Sequence, residues 1–351
     1  MTTVEFQVHY LKKRFPLAIS RGVYEGGDNL FIKLTDEAGR SGWGEMAPGD
    51  TEGADTVEQG RAMLEGYMAN GFDLMSIHDN WDKANTGNVA PCALAALDMA
   101  SWDLLAKQAD MPLYRLLGLP RRSVPTSVTV GINPPDVVSE RVPLLLNGTG
   151  VKALKIKLGS PEGMEADKAM FAAVLESSAG YDVTLRVDAN GGWTLGEARQ
   201  MMAWLAERGV EYIEQPLKHG DEENLVALFA DRPLPIFVDE SCRMASDIPA
   251  FADRVDGVNL KLMKCGGITE ALRIVATARA FGLKTMIGCM GESSISIAAG
   301  ASIAALFDYV DLDSHLNLTP DPATGAPMTD GIVLPDELPG HGGRLKELQD
   351  A

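Results

Sequence analysis

Cysteine is scarce in this 351-residue chain, and its four copies, Cys92, Cys242, Cys265 and Cys289, lie far apart. With no C-x-x-C pair and no histidine cluster beside them, they indicate neither a zinc site nor a disulfide framework, and they read as buried thiols in a reducing cytoplasm. Positive charge is also short: 31 Lys and Arg face 49 Asp and Glu, for a net charge of −18. Nucleic acid and anionic membrane both demand a cationic footprint, so this balance argues against either as a partner while leaving local sites open. Long apolar runs are missing, and none approaches the roughly 18 residues that span a bilayer. The opening "MTTVEFQVHYLKKRF" lacks the charged, apolar, small-residue order of a secretory signal, so the expected location is cytoplasmic. Polar low-complexity tracts are absent too; with 46% hydrophobic and 23% charged residues, the composition is that of a folded chain.

What is present has two textures. The length suggests two domains, or one large barrel with an added element. "VEFQVHYL" and "NLFIKLTDEAGRSGWGE" read as antiparallel ribbon around a glycine-containing turn, and "PCALAALDMASWDLLAKQADMPLYRLLG" as a helical run from Pro91 to Gly118. After "RRSVPTSVTVG" short apolar strands alternate with longer amphipathic segments. Eight strands are expected: "TSVTVG", "ALKIKLG", "VTLRVDA", "VEYIEQP", "PIFVDES", "DGVNLKL", "KTMIG" and "YVDLD". Eight strand-then-helix units point to a parallel α/β barrel, whose active site lies at the C-terminal strand ends. A doubly wound open sheet gives a similar alternation, and pattern alone leaves both open.

Acids stand where three successive strands run out: Asp188 in "RVDAN", Glu214 in "YIEQP" and Asp239 in "FVDES". They are 26 and 25 residues apart, about one strand-helix unit each, so the barrel reading converges them on one point of the rim. Three anionic oxygens suit a hard divalent cation, Mg²⁺ in particular. The plainer reading of any one of them is a helix N-cap or a solvated loop acid; three in a row make it weaker. Lysines mark two other strand ends. Strand alternation puts Lys155 and Lys157 on one face, while Lys261 ends the sixth strand with Lys264 just beyond. Within apolar strands, desolvation and a neighbouring ammonium lower a lysine's pKa, which fits Lys157 and Lys261 for abstracting a proton next to a carboxylate.

In this order, "KIK", "DAN", "EQP", "DES" and "NLKLMKCGG" resemble the enolase superfamily, specifically its muconate lactonizing enzyme subgroup. The resemblance spans nearly the whole chain and implies a modified TIM barrel, (β/α)7β, over residues 124–318. It also implies an α+β capping domain over 1–123, completed by 319–351. It makes Asp188, Glu214 and Asp239 the Mg²⁺ ligands, Lys157 and Lys261 the acid/base pair acting through a metal-stabilised enediolate, and Lys155 the neighbour that tunes Lys157. Lys264 is not the base by this match. The mandelate racemase branch uses a His–Asp dyad on later strands, and "KTMIGCM" has no histidine, so the two-lysine branch is favoured.

Within that branch "MIGCMGESSISIAAG" followed by "DLDSHL" looks like the dipeptide epimerases, which implies a small-molecule dipeptide partner. An Asp-x-Asp there holds the α-ammonium of the substrate's first residue, matching Asp311 and Asp313. Two close carboxylates repel unless a cation sits between them, so the pair is sensible as an ammonium receptor. In the flap "AISRGVYEGG", Arg21 stands where alanyl-glutamate epimerases carry an arginine for a side-chain carboxylate, whereas Glu25 and Asp28 would suit a basic partner. Two departures bear on the pocket: Gly291 replaces a larger apolar residue, and Ser314 and His315 replace small or apolar ones, His315 reading best as a cap or rim residue. The alternatives are an N-acylamino acid racemase, o-succinylbenzoate synthase or cycloisomerase, whose substrates lack a free amine, and a non-catalytic binding member of the family. The resemblance also implies a possible homo-oligomer.

Overall fold

The computed structural model describes residues 3–74 and 76–347. Strands β1 (Thr3–Ile19), β2 (Gly22–Thr35) and β3 (Ser41–Met46) form an antiparallel sheet in that order. One face of β2 buries Leu30, Ile32 and Leu34, alternate residues as the strand period demands. Helices α1 (Val57–Met68), α2 (Ile77–Thr86), α3 (Pro91–Gln108) and α4 (Leu113–Leu116) follow. The single helical run expected from Pro91 to Gly118 is broken: Asp110 takes a left-handed φ of 52°, and Pro112 cannot continue the hydrogen-bond ladder. Helix α3 is buried nearly all round, as its alanine-rich, apolar sequence allows. It lies so close to β3 that a Cβ at Gly42 or Gly44 would stand 2.1 Å from Ala100 O or 1.9 Å from Ala96 O. Both positions must therefore remain glycine for the sheet and helix to meet.

The second part is a barrel: β4 (Ser127–Val130), α5 (Pro135–Leu146), β5 (Ala153–Lys157), α6 (Met164–Ser177), β6 (Thr184–Asp188), α7 (Leu195–Ala206), β7 (Val210–Glu214), α8 (Leu225–Phe229), β8 (Ile236–Val238), β9 (Gly257–Lys261), α9 (Leu262–Cys265), α10 (Ile268–Ala280), β10 (Lys284–Gly288), α11 (Ser294–Ile303) and β11 (Tyr309–Val310). Neighbouring strands from β4 to β11 are all parallel. A parallel bridge from Thr126 to Val310 joins the two ends, which excludes the open sheet. Every residue of β5, β8 and β9 is buried, the mark of strands covered on both faces. The last strand is shorter than expected: β11 holds two residues, so Asp311 and Asp313 lie just past it rather than on it.

Beyond Leu318 the chain returns to the first part. Leu113 N donates to Gly340 O, and His341 N donates to Asp103 Oδ1 on α3, each at 2.8 Å. Residues 323–324 pair antiparallel with 344–345, and residues 348–351 of the expected cap lie outside the described residues, as do residues 1 and 2. One apolar cluster runs from β2 through α3 into the barrel, so the two parts share a core. Among the described residues no helix is long and apolar enough to cross a membrane.

Candidate active site

Strand register assembles the centre. Lys157 on β5 lies opposite Asp188 on β6, and Asp188 lies opposite Glu214 on β7, each at a strand's last position. Asp239 follows β8 immediately, and its N–H donates to Gln215 Oε1 at 2.9 Å. The three carboxylates are fully buried, with one oxygen from each lying within 4.8 Å of the others. Glu214 Oε2 and Asp239 Oδ2 each have a lysine ammonium at 2.7 Å, yet neither has a donor in hydrogen-bonding alignment. Three converging hard oxygens, two of them without an aligned donor, fit a divalent cation such as Mg²⁺, so Asp188, Glu214 and Asp239 could hold one.

Lysines flank this trio. Lys157 Nζ donates to Asp188 Oδ2 at 2.5 Å on one side, and Lys261 Nζ lies 2.7 Å from Asp239 Oδ2 on the other. Lys155 sits deeper, 2.6 Å from Asp311 Oδ2 and 2.7 Å from Glu214 Oε2. Lys264 is buried behind Asp239, donating to its Oδ1 and backbone oxygen and, at 3.1 Å, to Asn259 O. It braces a carboxylate and does not face the cavity.

The electrostatics correct one expectation. Burial does work against the charge on Lys155 and Lys261, but carboxylates outweigh it: Asp311 and Glu214 for Lys155, Asp239 for Lys261. Both pKa values are held above the ordinary lysine range instead of falling. The acids divide by partner. Burial raises Asp188 and Asp239, but Lys157 and Lys155 reverse it for the first, and Lys261 and Lys264 reverse it strongly for the second, leaving both below the usual range. Burial followed by repulsion from Asp188 pushes Glu214 up to about 8. A divalent cation held by these three carboxylates would add positive charge to that which the lysines already set against them.

The backbone beside the trio is strained in two places. Asn190 and Gln215, close behind Asp188 and Glu214, have left-handed φ values of 44° and 38°. A non-glycine residue there costs about 1–2 kcal/mol, least for asparagine. Gln215 offsets it by bonding: its Nε2 donates to Leu217 O and Ser241 Oγ, both at 2.8 Å, and its Oε1 accepts from Asp239 N. Gln215, the middle residue of "EQP", thus ties its own segment to "DES", a role that spacing alone did not reveal.

Above the centre lies a cavity of about 560 Å³, lined among others by Lys157, Lys261, Asp311, Asp313 and Arg21. The acidic pair is not symmetric. Asp311 Oδ2 is taken by Lys155 and Asp313 Oδ2 accepts from Thr129 N at 2.7 Å, while Asp311 Oδ1 is buried with no hydrogen-bond partner. Arg21 is at the β1–β2 tip, where Nη1 donates to Glu240 Oε1 at 2.7 Å and to Asn190 O at 3.1 Å. Asp28 lines the cavity, whereas Glu25 is an exposed residue of β2 outside the lining. Gly291 leaves a gap facing Lys13: a Cβ there would stand 3.3 Å from Lys13 Nζ. Burial lowers the Lys13 pKa, against the opposing pull of Cys289 and Asp313. Sequence reasoning missed Lys13, and the unexplained glycine was its one signal. His315 is neither cap nor rim. It is 8% exposed, belongs to a short 3-10 turn, Ser314–Asn317, and lines a separate cavity with Ser294 and Asp321. Ser314 stays at the main site, accepting from Glu292 N at 2.9 Å.

Comparison with known proteins agrees in sequence and in fold. Residues 1–118 match the mandelate racemase / muconate lactonizing enzyme N-terminal domain, and residues 138–349 match the enolase C-terminal domain-like family. A hydrophobic dipeptide epimerase from Roseobacter litoralis is 72% identical over 97% of this chain and 98% of its own. The crystal structure of a dipeptide epimerase from Enterococcus faecalis, complexed with Mg and L-Leu-L-Tyr, superposes with a TM-score of 0.90 at 34% identity, covering 97% of this chain and 98% of that one. One from Methylococcus capsulatus, complexed with Mg and L-Arg-D-Lys, gives 0.88 at 32% identity with the same coverage.

Proposed function

The chain belongs to the mandelate racemase / muconate lactonizing enzyme family of the enolase superfamily, and we propose that it is a Mg²⁺-dependent dipeptide epimerase inverting the α-carbon of the C-terminal residue. The observation that carries this reading is the placement of Lys157 and Lys261 on opposite flanks of one carboxylate trio, under a cavity that also holds Asp311 and Asp313.

A Cα–H held between the two lysines meets a nitrogen on each side. One lysine, as the neutral amine, takes the α-proton, and the electron pair of the broken C–H bond spreads into the adjoining carboxylate. The other, as the ammonium, delivers a proton to the opposite side and inverts the centre. Mg²⁺ held by Asp188, Glu214 and Asp239 supplies positive charge that makes a proton next to a carboxylate more acidic. Lys155 stays charged between Asp311 and Glu214 and orients both. The open Oδ1 of Asp311 and the nearby Asp313 receive the substrate's α-ammonium, which sets a free dipeptide apart from an N-acylated amino acid.

The same proposal takes uncharged, apolar dipeptides as substrates, in keeping with the Roseobacter relative. It divides the chain into a cap of residues 1–123 with 319–351 and a barrel of 124–318. It also includes a cytoplasmic location, which suits four free thiols, and a homo-oligomer as the working form. Exchange of the α-proton with solvent deuterium tests it. With Mg²⁺ present, free apolar dipeptides should exchange and epimerise at the second residue; exchange confined to N-acylamino acids refutes the reading.

A further inference from the structure

The tip of the β1–β2 hairpin is fastened to the loops that follow two of the metal-site acids. Ser20 Oγ donates to Asn190 O at 2.9 Å, and Arg21 Nη1 donates to the same oxygen and to Glu240 Oε1. Asn190 Nδ2 reaches the same Glu240 oxygen at 3.2 Å. The pair is unequal in position: the Arg21 side chain is 35% exposed and lines the cavity, whereas that of Glu240 is 10% exposed and lies behind it. Glu240 Oε2 is buried without a hydrogen-bond partner, while Oε1 accepts from both Arg21 and Asn190.

A guanidinium at a cavity wall is a ready receptor for a carboxylate, because its planar fork matches two oxygens and its charge is permanent. Here one nitrogen of that fork, Nη1, is already engaged by Glu240 Oε1 and Asn190 O. A substrate carboxylate approaching Arg21 would have to displace Glu240 and leave it buried and unpaired, or sit beside it as a like charge; each costs free energy. Apolar side chains meet no such opposition from the neighbouring lining residues Leu17, Ile19 and Tyr24.

We propose that Glu240 sets the charge preference for the dipeptide's second residue: by holding Arg21 it withholds a carboxylate receptor and turns the site toward uncharged side chains. This rests on the dipeptide epimerase reading. Glu240 acts here as a specificity-determining residue, distinct from the two lysines that move the proton.

The test compares L-Ala-L-Glu with L-Ala-L-Leu on the Mg²⁺-loaded protein, using calorimetric affinity and deuterium exchange, for wild type, Glu240→Gln and the double variant Glu240→Gln with Arg21→Met. Glutamine keeps the shape and an acceptor oxygen but removes the charge. The expected result is a gain of about tenfold or more in affinity for L-Ala-L-Glu relative to L-Ala-L-Leu in the single variant, cancelled in the double variant. An unchanged ratio in Glu240→Gln, or a gain that survives loss of Arg21, overturns the proposal. Mg²⁺ affinity, measured in parallel, should be unaltered; a gain that merely follows a changed Mg²⁺ affinity counts against it. Failure of the epimerase reading looks different: neither dipeptide would exchange its α-proton in any of the three proteins, whatever the affinities do.

Discussion

Two layers of inward-facing residues, one strand period apart, have opposite chemistry. The upper layer carries Asp188, Glu214 and Asp239, with Asp311 just past the last strand; directly beneath, two residues earlier in each case, are Arg186, Tyr212, Phe237 and Tyr309. The three rings pack with centroids 5.0 to 5.3 Å apart, and the Arg186 guanidinium lies 5.2 and 5.7 Å from the two tyrosine rings while bonding Glu211. The difference teaches why the upper layer works as it does. An aromatic floor admits little water, so charges above it are balanced by one another, and of the three trio acids Glu214 alone is pushed up.

Removing either flanking lysine should produce the largest change. Lys157→Ala and Lys261→Ala should each lower epimerisation by at least about a thousandfold, measured by NMR of the two epimers, with the fold retained. Full turnover by both would break the assignment of the upper layer. Next comes the floor: Phe237→Ala should cost about 3–5 kcal/mol of stability in denaturant melts, since it empties a fully buried ring site. Arg186→Met should cost less, about 2 kcal/mol, because the cation held between rings, its Glu211 pair and its hydrogen bond to Ser127 Oγ are lost but no ring site is emptied. A larger loss of activity than of stability in either floor variant would mean that the layers are not separable.

The smallest effect lies outside both layers and serves as their control. Burial holds the His315 pKa down to about 4, partly opposed by Asp321, so between there and its ordinary value near 6.5 the folded chain binds fewer protons than the unfolded one. Its contribution to stability is complete above about pH 6.5 and is lost as the pH falls toward 4. His315→Leu should remove that dependence, narrowing by a few degrees the fall in melting temperature on acidification. An identical acid response in variant and wild type would place the titration elsewhere.

Both layers were written in the sequence as a repeated triplet: "RVD", "YIE", "FVD" and "YVD" each put an acid two residues beyond an arginine or an aromatic ring. Period-two alternation turns that triplet into a floor and a charged ceiling, but the barrel and the converging acids were legible from the eight strand-then-helix units and the one-unit spacing of Asp188, Glu214 and Asp239. Contacts that depend on how distant segments meet were not. Arg21 and Glu240 are 219 residues apart, and nothing local to either shows that they pair. Lys13 reaches the gap at Gly291 only because the hairpin folds over the barrel mouth. The direction of the Lys261 pKa shift was also misjudged, because burial and a neighbouring ammonium were weighed and the Asp239 carboxylate was not. His315 looked like a rim residue since the turn that swings it away from the cavity begins one residue before it.

The glycine pair at 42 and 44 has a consequence for how the molecule melts. With α3 pressed onto the sheet on one side and its apolar residues joined to the barrel's cluster on the other, neither part has a separate interior to keep when the other opens. Heating should therefore show one calorimetric transition, with cap and barrel lost together as a single cooperative unit.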